Sequence, residues 1–267
     1  MSALGIGLSD LFGRRVMLAS SAITAATAMQ IFSALATTAF ALVTVSTFDG
    51  PSFVWGCLSG LGMAGGISFY YLGLEHSTST LVAPIVAAQS ALLPYLYAIS
   101  RGSPSSTVAV AGAFVAVLGL VLVTGGAVSL LRLRAGIVYG LVSGLSYAAA
   151  SIFFIEAADT EGWWPPVGQR LTGTVALLLA ATLLGRRRFP PPGQRINGAM
   201  IGLLTAGVSL SLLVALAANA AVGAVALSTF PVFSVLIGRV FFADAVQRLQ
   251  VVGIALVVSG IGAVAIG

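Results

Sequence analysis

Arg170 is the residue in this sequence best placed to do chemistry, because it is a cation within an otherwise apolar stretch. It lies about one turn into a helix that we expect to begin near Pro165. Ionisable side chains within long apolar segments commonly face a cavity or a polar partner. One interpretation of Arg170 is therefore contact with an anion such as a substrate carboxylate, which a guanidinium can bind through two parallel donors. The other is an arginine that extends to the nearby membrane interface.

Two carboxylates are candidates for coupling or gating. Glu156 ends the apolar stretch before the one that carries Arg170, near the same expected membrane face. An ion pair between Glu156 and Arg170 is one option, and it would have a structural or gating role. Asp10 is the second candidate: within a membrane helix it could exchange a proton, whereas near a solvated N-terminus it is an ordinary carboxylate.

Several uncharged polar side chains also fall within or near apolar stretches. Each could line a cavity, or could make one hydrogen bond between helices, which contributes ~0.6 kcal/mol on average. The candidates for a substrate cavity, beside Arg170, are Tyr71, Gln89, Ser90, Tyr147, Asn219 and Ser228. Gln30 shares this pattern.

The sequence has no pattern typical of an enzyme or a metal site. Cys57 and His76 are its single cysteine and single histidine, so neither a disulfide within the chain nor a His/Cys metal cluster is expected. No nucleophile stands at a usable spacing from a base, and no phosphate-binding loop is present. We expect no catalytic residues, no cofactor and no metal.

The composition places the chain in a lipid bilayer. Hydrophobic residues make up 58% of the chain and charged residues 7%, with a mean hydropathy of +1.08, whereas a soluble domain carries about 25% charged residues. The isoelectric point near 10 would suggest nucleic acid in a soluble protein. In short loops between membrane helices, arginines instead fix orientation, so we expect no nucleic-acid partner.

Apolar runs of roughly the length that crosses a bilayer follow one another along the chain. They predict an all-α polytopic membrane protein with nine to ten transmembrane helices. After a short apolar start at 1–13 and the Arg14-Arg15 pair, the predicted spans are 16–45, 53–74, 81–100, 108–130, 135–157, 167–184, 200–222, 224–242 and 251–266.

The sequence contains an internal repeat, in which the second half corresponds to the first. Gly112 and Gly119 in the first half correspond to Gly253 and Gly260 in the second, with the same spacing, and small residues on one face let another helix approach closely. Further matches at nearly the same separation pair Gly7-Leu-Ser-Asp10 with Gly144-Leu-Ser-Tyr147, Gln30-Ile-Phe-Ser33 with Gln169-Arg-Leu-Thr172, and Gly66-Ile-Ser68 with Gly207-Val-Ser209. We expect repeats at residues 1–131 and 132–267.

The two halves are expected to have opposite orientations in the membrane. Five helices per half is an odd number, so the second repeat enters the membrane inverted, an arrangement common in secondary transporters. Arginines concentrate in the odd-numbered loops and Arg101 stands alone in the even ones, which predicts cytoplasmic odd loops and an external C-terminus. Fewer residues precede Gly7 than precede Gly144 in its helix, so we expect a partial, truncated first helix.

The last forty residues resemble the end of an EamA domain of the drug/metabolite transporter superfamily. The resemblance rests on the run from Leu227 to Asp244, which contains Pro231, and on Gln250-Val-Val-Gly253. In the first half, Phe69-Tyr-Tyr-Leu-Gly-Leu, Val82-Ala-Pro84 and the helix from Gly112 to Gly119 are similar to the family. Asp244 and Ala245 stand where the family carries a Glu-Arg hinge.

This resemblance implies a ten-helix transporter of small organic metabolites, such as amino acids or related compounds, in the inner (cytoplasmic) membrane. It implies a permease or exporter that works by alternating access, with protons as a candidate coupling ion and a homodimer as a candidate assembly. The alternative is a non-transporting membrane protein: a scaffold, an accessory subunit or a defunct paralogue. A central cavity lined by Gln89, Tyr147 and Asn219 would favour the transporter, and sealed packing would favour the alternative.

Overall fold

Helices make up nearly all of the described part of the chain. The computed structural model describes residues 2–77, 79–124, 133–158, 162–227 and 248–266, together with residues 233, 236, 240 and 241. In order, the helices are α1 (Ser2–Ala19), α2 (Ala22–Val43), α3 (Gly50–His76), α4 (Ser79–Ser100), α5 (Thr107–Thr124), α6 (Leu133–Ala157), α7 (Trp164–Leu183), a 3₁₀ turn (Pro192–Gln194), α8 (Arg195–Ala218), α9 (Ala220–Leu227) and α10 (Arg248–Ile266).

The first break in the chain falls later than the sequence predicts. We expected it at Arg14-Arg15, but α1 continues to Ala19, and the break lies at Ser20 and Ser21. Arginine has a high helix propensity, so the Arg14-Arg15 pair need not end the helix. Ser21 is the N-cap of α2, since its Oγ accepts a hydrogen bond from the Thr24 amide at 3.2 Å.

An aspartate cap and a proline start α3 earlier than predicted, at Gly50 rather than Phe53. Asp49 Oδ2 accepts a hydrogen bond from the Ser52 amide at 2.9 Å, and Pro51 occupies the first turn, where its missing N–H costs nothing. The hydrogen bonds from Ser52 lower the pKa of Asp49 below its usual value. The predicted turn at Asp49 to Pro51 is therefore a helix start.

The boundary between α8 and α9 is sharper than the sequence predicts. The predicted spans are 200–222 and 224–242. In the structure, α8 begins at Arg195 and ends at Ala218, and Asn219 alone separates it from α9. Asn219 has extended backbone, and its Oδ1 accepts a hydrogen bond from the Val222 amide at 3.0 Å. Most of the segment from residue 228 to residue 247, including Pro231 and Asp244, lies outside the described residues.

The glycines that repeat between the halves bring α5 and α10 into close contact. A Cβ on Gly112 would stand 2.6 Å from the Gly260 carbonyl oxygen, and one on Gly119 would stand 2.6 Å from that of Gly253. Such distances leave no room for a side chain, so the two helix backbones touch directly. Each glycine-bearing helix thus packs on the other, which is the pairing that two corresponding halves would give.

Other helix contacts also come in corresponding pairs. Helix α3 packs on α6 and α7, and α8 packs on α1 and α2. If the halves correspond, α3 matches α8, α6 matches α1, and α7 matches α2. Helices α2 and α7 also contact each other, so α2, α3, α7 and α8 together form the centre of the helix bundle.

Large apolar side chains cover the outside of the bundle. Leu18, Val43, Leu183 and Ile196 are each at least 74% exposed, which water would oppose and lipid favours. Four helical segments, Ala22–Val43, Gly50–Tyr70, Arg134–Ala157 and Pro192–Ala218, are long and apolar enough to cross a bilayer, and the segments Thr107–Leu122 and Arg248–Val264 are shorter apolar helices. The chain is an all-α polytopic membrane protein.

Candidate functional site

Arg170 lies at the centre of the bundle, buried among polar groups from four helices. Its side chain on α7 is 3% exposed, so it does not extend to the membrane interface. Its Nε and Nη2 both donate to Ser209 Oγ, at 3.0 and 2.6 Å, and Nη2 also donates to the Thr205 carbonyl oxygen at 3.1 Å. Nη1 donates to Gln30 Oε1 at 3.1 Å and points at Met63 Sδ, 3.5 Å away.

A chain of hydrogen bonds runs from Ser209 to helix α6. Ser209 Oγ donates to Gln169 Oε1 at 2.9 Å, and Gln169 Nε2 donates to Ser59 Oγ at 2.8 Å. Ser59 Oγ in turn donates to the Ala150 carbonyl oxygen at 2.7 Å. We call the set Gln30, Ser59, Met63, Gln169, Arg170, Thr205 and Ser209 the Arg170 cluster. Two of its helices, α2 and α3, precede residue 131, and α7 and α8 follow it.

Close helix packing gives the cluster its shape. A Cβ on Gly60 would clash with the Gln169 backbone, so glycine there lets α3 approach α7 closely. A Cβ on Gly173 would stand 2.6 Å from Gln30 Nε2, so this glycine leaves space for the Gln30 amide beside Arg170. Each glycine thus determines how near a polar side chain comes to the guanidinium.

The cluster carries a positive charge without a described negative partner. Among the side chains that the structure describes, no carboxylate lies within ion-pair distance of Arg170, and its oxygen acceptors are neutral. Gln30 Nε2 and Ser33 Oγ are buried and have no hydrogen-bond partner. The arrangement can therefore offer both a positive charge and an unused donor to a ligand.

The predicted option of a Glu156–Arg170 pair is wrong. Glu156 Oε1 lies 3.2 Å from Arg101 Nε and accepts a hydrogen bond from the Tyr97 hydroxyl at 2.6 Å. These contacts join the ends of α4 and α6. Arg170 points into the bundle from the start of α7, so the two side chains have different partners.

Gln89, Ser90 and Tyr147 lie apart from the contacts of Arg170. Gln89 Nε2 donates to the Ile85 carbonyl oxygen at 3.2 Å, and Gln89 packs on Gly144 of α6. Ser90 follows it on α4 and is partly buried. The Tyr147 ring packs over Gly66, where an added Cβ would stand 2.7 Å from the ring. Gln89 thus joins α4 to α6, and Tyr147 joins α6 to α3; a role of these residues in a substrate cavity stays a prediction.

Asn219 acts as a helix cap, as described above, and not as a member of the Arg170 cluster. The predicted Tyr71 and Asp10 lie on α3 and α1, but their side chains fall outside the described part of the structure. Ser228 lies wholly outside it. Within the described residues, no group of three His, Cys, Asp or Glu side chains is placed to hold a metal ion.

The described core contains a small apolar cavity and a closed polar cluster. Ala91, Leu120, Val225 and Val257 are among the cavity's lining residues, all of which are apolar. Of the residues that could have lined a transporter cavity, Gln89 and Tyr147 pack on glycines and Asn219 caps a helix. In the Arg170 cluster, Gln30, Gln169, Thr205 and Ser209 are each at most 4% exposed.

Sequence reasoning selected Arg170 but missed most of its partners. Gln169, Ser59, Met63, Thr205 and Ser209 were not predicted as site residues. A signal was present in the repeat: Gln30 and Gln169 occupy matching positions in the two halves, and both lie in the cluster. Ser209 likewise belongs to a matched pair, with Ser68. Polar residues at matching positions could have directed attention to the bundle centre.

Comparison with known proteins identifies the family. Residues 134–266 match the EamA-like transporter family, and the chain belongs to that family, within the drug/metabolite transporter superfamily. This is a family of membrane transporters. No curated protein matches the chain in sequence.

A solved structure shares the fold over nearly the whole chain. Among 29 matching chains is one titled only "Crystal structure of protein", with a TM-score of 0.82 and 16% sequence identity, over 99% of this chain and 94% of that one. At this identity the likeness concerns the fold alone. It extends across the first half, which the family match does not cover.

Proposed function

We propose that the protein is a secondary transporter of small organic metabolites in the cytoplasmic membrane, and that it works by alternating access between two inverted five-helix repeats, residues 1–131 and 132–267. The observation that carries the proposal is the Arg170 cluster, a polar site buried where α2 and α3 meet α7 and α8. Polar groups are costly in a membrane interior, and transporters of inverted repeats bind substrate near the midplane between the repeats. Amino acids or related compounds are the proposed substrates, and export the proposed direction.

The paired helix contacts support the two-repeat interpretation. The close contact of α5 with α10, and the matching contacts of α3 and α8, are those expected for two halves related by a two-fold axis in the membrane plane. In such an arrangement the halves can rock against each other around a site that both of them line.

Hydrogen bonds join the two proposed repeats near both ends of the described bundle. At the end where α2 and α6 finish, the Trp163 amide donates to Ser46 Oγ at 2.8 Å and the Trp164 indole to the Ser46 carbonyl oxygen at 3.1 Å. At the opposite end, Thr24 Oγ1 donates to the Arg187 carbonyl oxygen at 2.8 Å. These contacts support an occluded conformation, which is one of the states that the proposed alternating access requires.

Glu156 is proposed as a gating residue. Its contacts with Arg101 and Tyr97 link α4 of the first half to α6 of the second, at the end that we propose faces outside. Opening that end would separate them. Asp10 is retained as a candidate for proton coupling, and a homodimer as a candidate assembly.

The second candidate function is a membrane protein that does not transport, such as a scaffold, an accessory subunit or a defunct paralogue. The observation that favours it is the closed packing of the Arg170 cluster, whose donors are largely satisfied by neighbouring helices. A scaffold would need no second conformation. The two candidate functions therefore differ in whether the Arg170 cluster becomes accessible from each side of the membrane.

An unbiased export measurement tests the proposed function. Wild type and Arg170→Gln are expressed at matched levels in a bacterial host, and metabolites in the medium are compared by mass spectrometry, with Arg188→Gln as a control for loss of an exposed positive charge. We expect at least one small organic metabolite to accumulate outside with wild type and with Arg188→Gln, but not with Arg170→Gln. Identical media for all three would oppose export and favour the scaffold.

A further inference from the structure

We infer that the Arg170 cluster binds one carboxylate group. If the protein is the transporter proposed above, its substrate therefore carries a carboxylate; the anion site itself does not depend on that proposal. Three observations lead to this site: the charge of the cluster, the unused donor of Gln30, and the weak contact at Arg170 Nη1.

The charge of the cluster calls for an anion. A buried ion is stabilised when an opposite charge accompanies it, and removing an ion from water without one costs several kcal/mol. Ser209 Oγ, Gln30 Oε1 and the Thr205 carbonyl oxygen accept from Arg170, and no described carboxylate does. A guanidinium that only linked helices would remain a buried charge without an opposite charge beside it, and a carboxylate ligand would supply that charge.

The position of the ligand follows from the weakest contact of Arg170. Nη1 faces Met63 Sδ at 3.5 Å, and a thioether sulfur is a weak acceptor. Met63 is only partly buried, unlike Ser209 and Gln30. A carboxylate oxygen that displaced the sulfur would accept a charge-assisted hydrogen bond, which is roughly twice as strong as a neutral one.

A second donor belongs to the side chain that already accepts from Nη1. Gln30 Oε1 accepts from Arg170 Nη1, and Gln30 Nε2 is buried without a partner. A buried donor left unsatisfied costs about 1–3 kcal/mol. A carboxylate has two oxygens, so one can accept from Arg170 and the other from Gln30 after a small rotation of the amide.

Charge-selective modification of a cysteine at position 63 tests the site. The full chain carries Cys57→Ala and Met63→Cys in membrane vesicles, and is treated with two methanethiosulfonates of similar size, an anionic sulfonatoethyl reagent and a cationic trimethylammonioethyl reagent. Each rate is divided by the rate of the same reagent with 2-mercaptoethanol. We expect the anionic reagent to react at least roughly tenfold faster, a ratio equivalent to ~1.4 kcal/mol, and acetate to slow it more than acetamide does.

Companion variants show whether Arg170 causes the preference. With Arg170→Gln the preference should vanish, with Arg170→Lys it should persist, and with Arg188→Gln it should be unchanged. Gel filtration of each variant checks that it is folded. Equal rates for the two reagents in the parent, or no reaction with either, would overturn the anion site.

The outcome for the site can be separated from the outcome for transport. An anionic preference observed from one side of the membrane only would leave the anion site standing and contradict alternating access. Reaction from both sides, at equal rates for the two reagents, would support alternating access and contradict the anion site.

Discussion

At the scale of single residues, Arg170 organises the centre of the molecule. It contacts side chains or carbonyls of α2, α3 and α8 from its own position on α7. The interaction of Arg170 that matters for function is electrostatic, because neutral acceptors satisfy its hydrogen-bond donors but do not balance its positive charge. Replacing it should therefore affect ligand binding more strongly than it affects folding.

Arg170→Gln should reduce export of the substrate by roughly 30-fold or more, since removing one partner of a buried charged contact costs about 2–5 kcal/mol. Arg170→Lys should retain part of the activity, because it keeps the charge but not the planar fork of donors. The measurement is the rate of metabolite release at matched expression. Equal loss in both variants, with both proteins unfolded in gel filtration, would point to a structural role instead.

Gly173→Ala should weaken the site without removing its charge. The new Cβ would lie 2.6 Å from Gln30 Nε2, so the amide must move away from Arg170. We expect a smaller reduction in export than Arg170→Gln causes. Gly207→Ala is the matched control, because nothing lies within 4 Å of a Cβ at that position; equal effects of the two alanines would contradict the argument.

At the scale of the elements, close backbone contacts hold the helices where the site needs them. The contact of α5 with α10 is the clearest, since Gly112, Gly119, Gly253 and Gly260 all take part. The sequence predicted this role correctly, because the same glycine spacing in two halves is visible without coordinates. The identity of the partner helix was not visible, since it depends on how the halves associate.

Gly260→Ala should destabilise the protein and Gly262→Ala should not. A Cβ at Gly260 would stand 2.5 Å from the Gly112 carbonyl oxygen, whereas one at Gly262 would have nothing within 4 Å. Overpacking of this kind costs typically about 1–3 kcal/mol, while alanine at an open helix position favours the helix by up to about 1 kcal/mol. The check is the melting temperature in detergent, and a lower value for Gly262→Ala than for Gly260→Ala would refute the contact.

The helices were easier to predict than the site for a physical reason. Apolar length specifies a membrane helix locally, so α6, α7 and α10 begin and end close to where the sequence predicts. The first break was misplaced, because Arg14 and Arg15 can end a helix or extend its last turns. Arg170's partners lie on other helices, so no local pattern pairs Ser209 with it.

At the scale of the whole molecule, hydrogen bonds between residues before 131 and residues after 132 hold both ends of the described bundle. Contacts of Ser46 with Trp163 and Trp164 close one end, together with Glu156 and its partners, and Thr24 with Arg187 closes the other. Each contact is a hydrogen bond or a partly exposed ion pair, so each is weak enough to break during a transport cycle. This combination of a buried charged site and weak closures is what an alternating-access transporter requires.

Glu156→Gln should change accessibility more than stability. Arg101 is 58% exposed in this pair, so loss of the ion pair should lower the free energy of unfolding by less than about 1 kcal/mol. The pair lies at the proposed outer end. When Glu156→Gln is added to the Cys57→Ala, Met63→Cys protein, position 63 should therefore react several-fold faster with the sulfonatoethyl reagent added outside. Arg188→Gln, on an exposed loop, should leave that rate unchanged. An unchanged rate in Glu156→Gln would remove Glu156 from the gate.

The most direct test of the account is whether the Arg170 cluster can be reached from both sides of the membrane. Cys57→Ala, Met63→Cys protein is placed in right-side-out and in inside-out vesicles, and each preparation is treated with the membrane-impermeant sulfonatoethyl reagent. A transporter predicts modification of position 63 in both preparations, because the site opens to each side in turn. Modification from one side only, or from neither, would contradict alternating access.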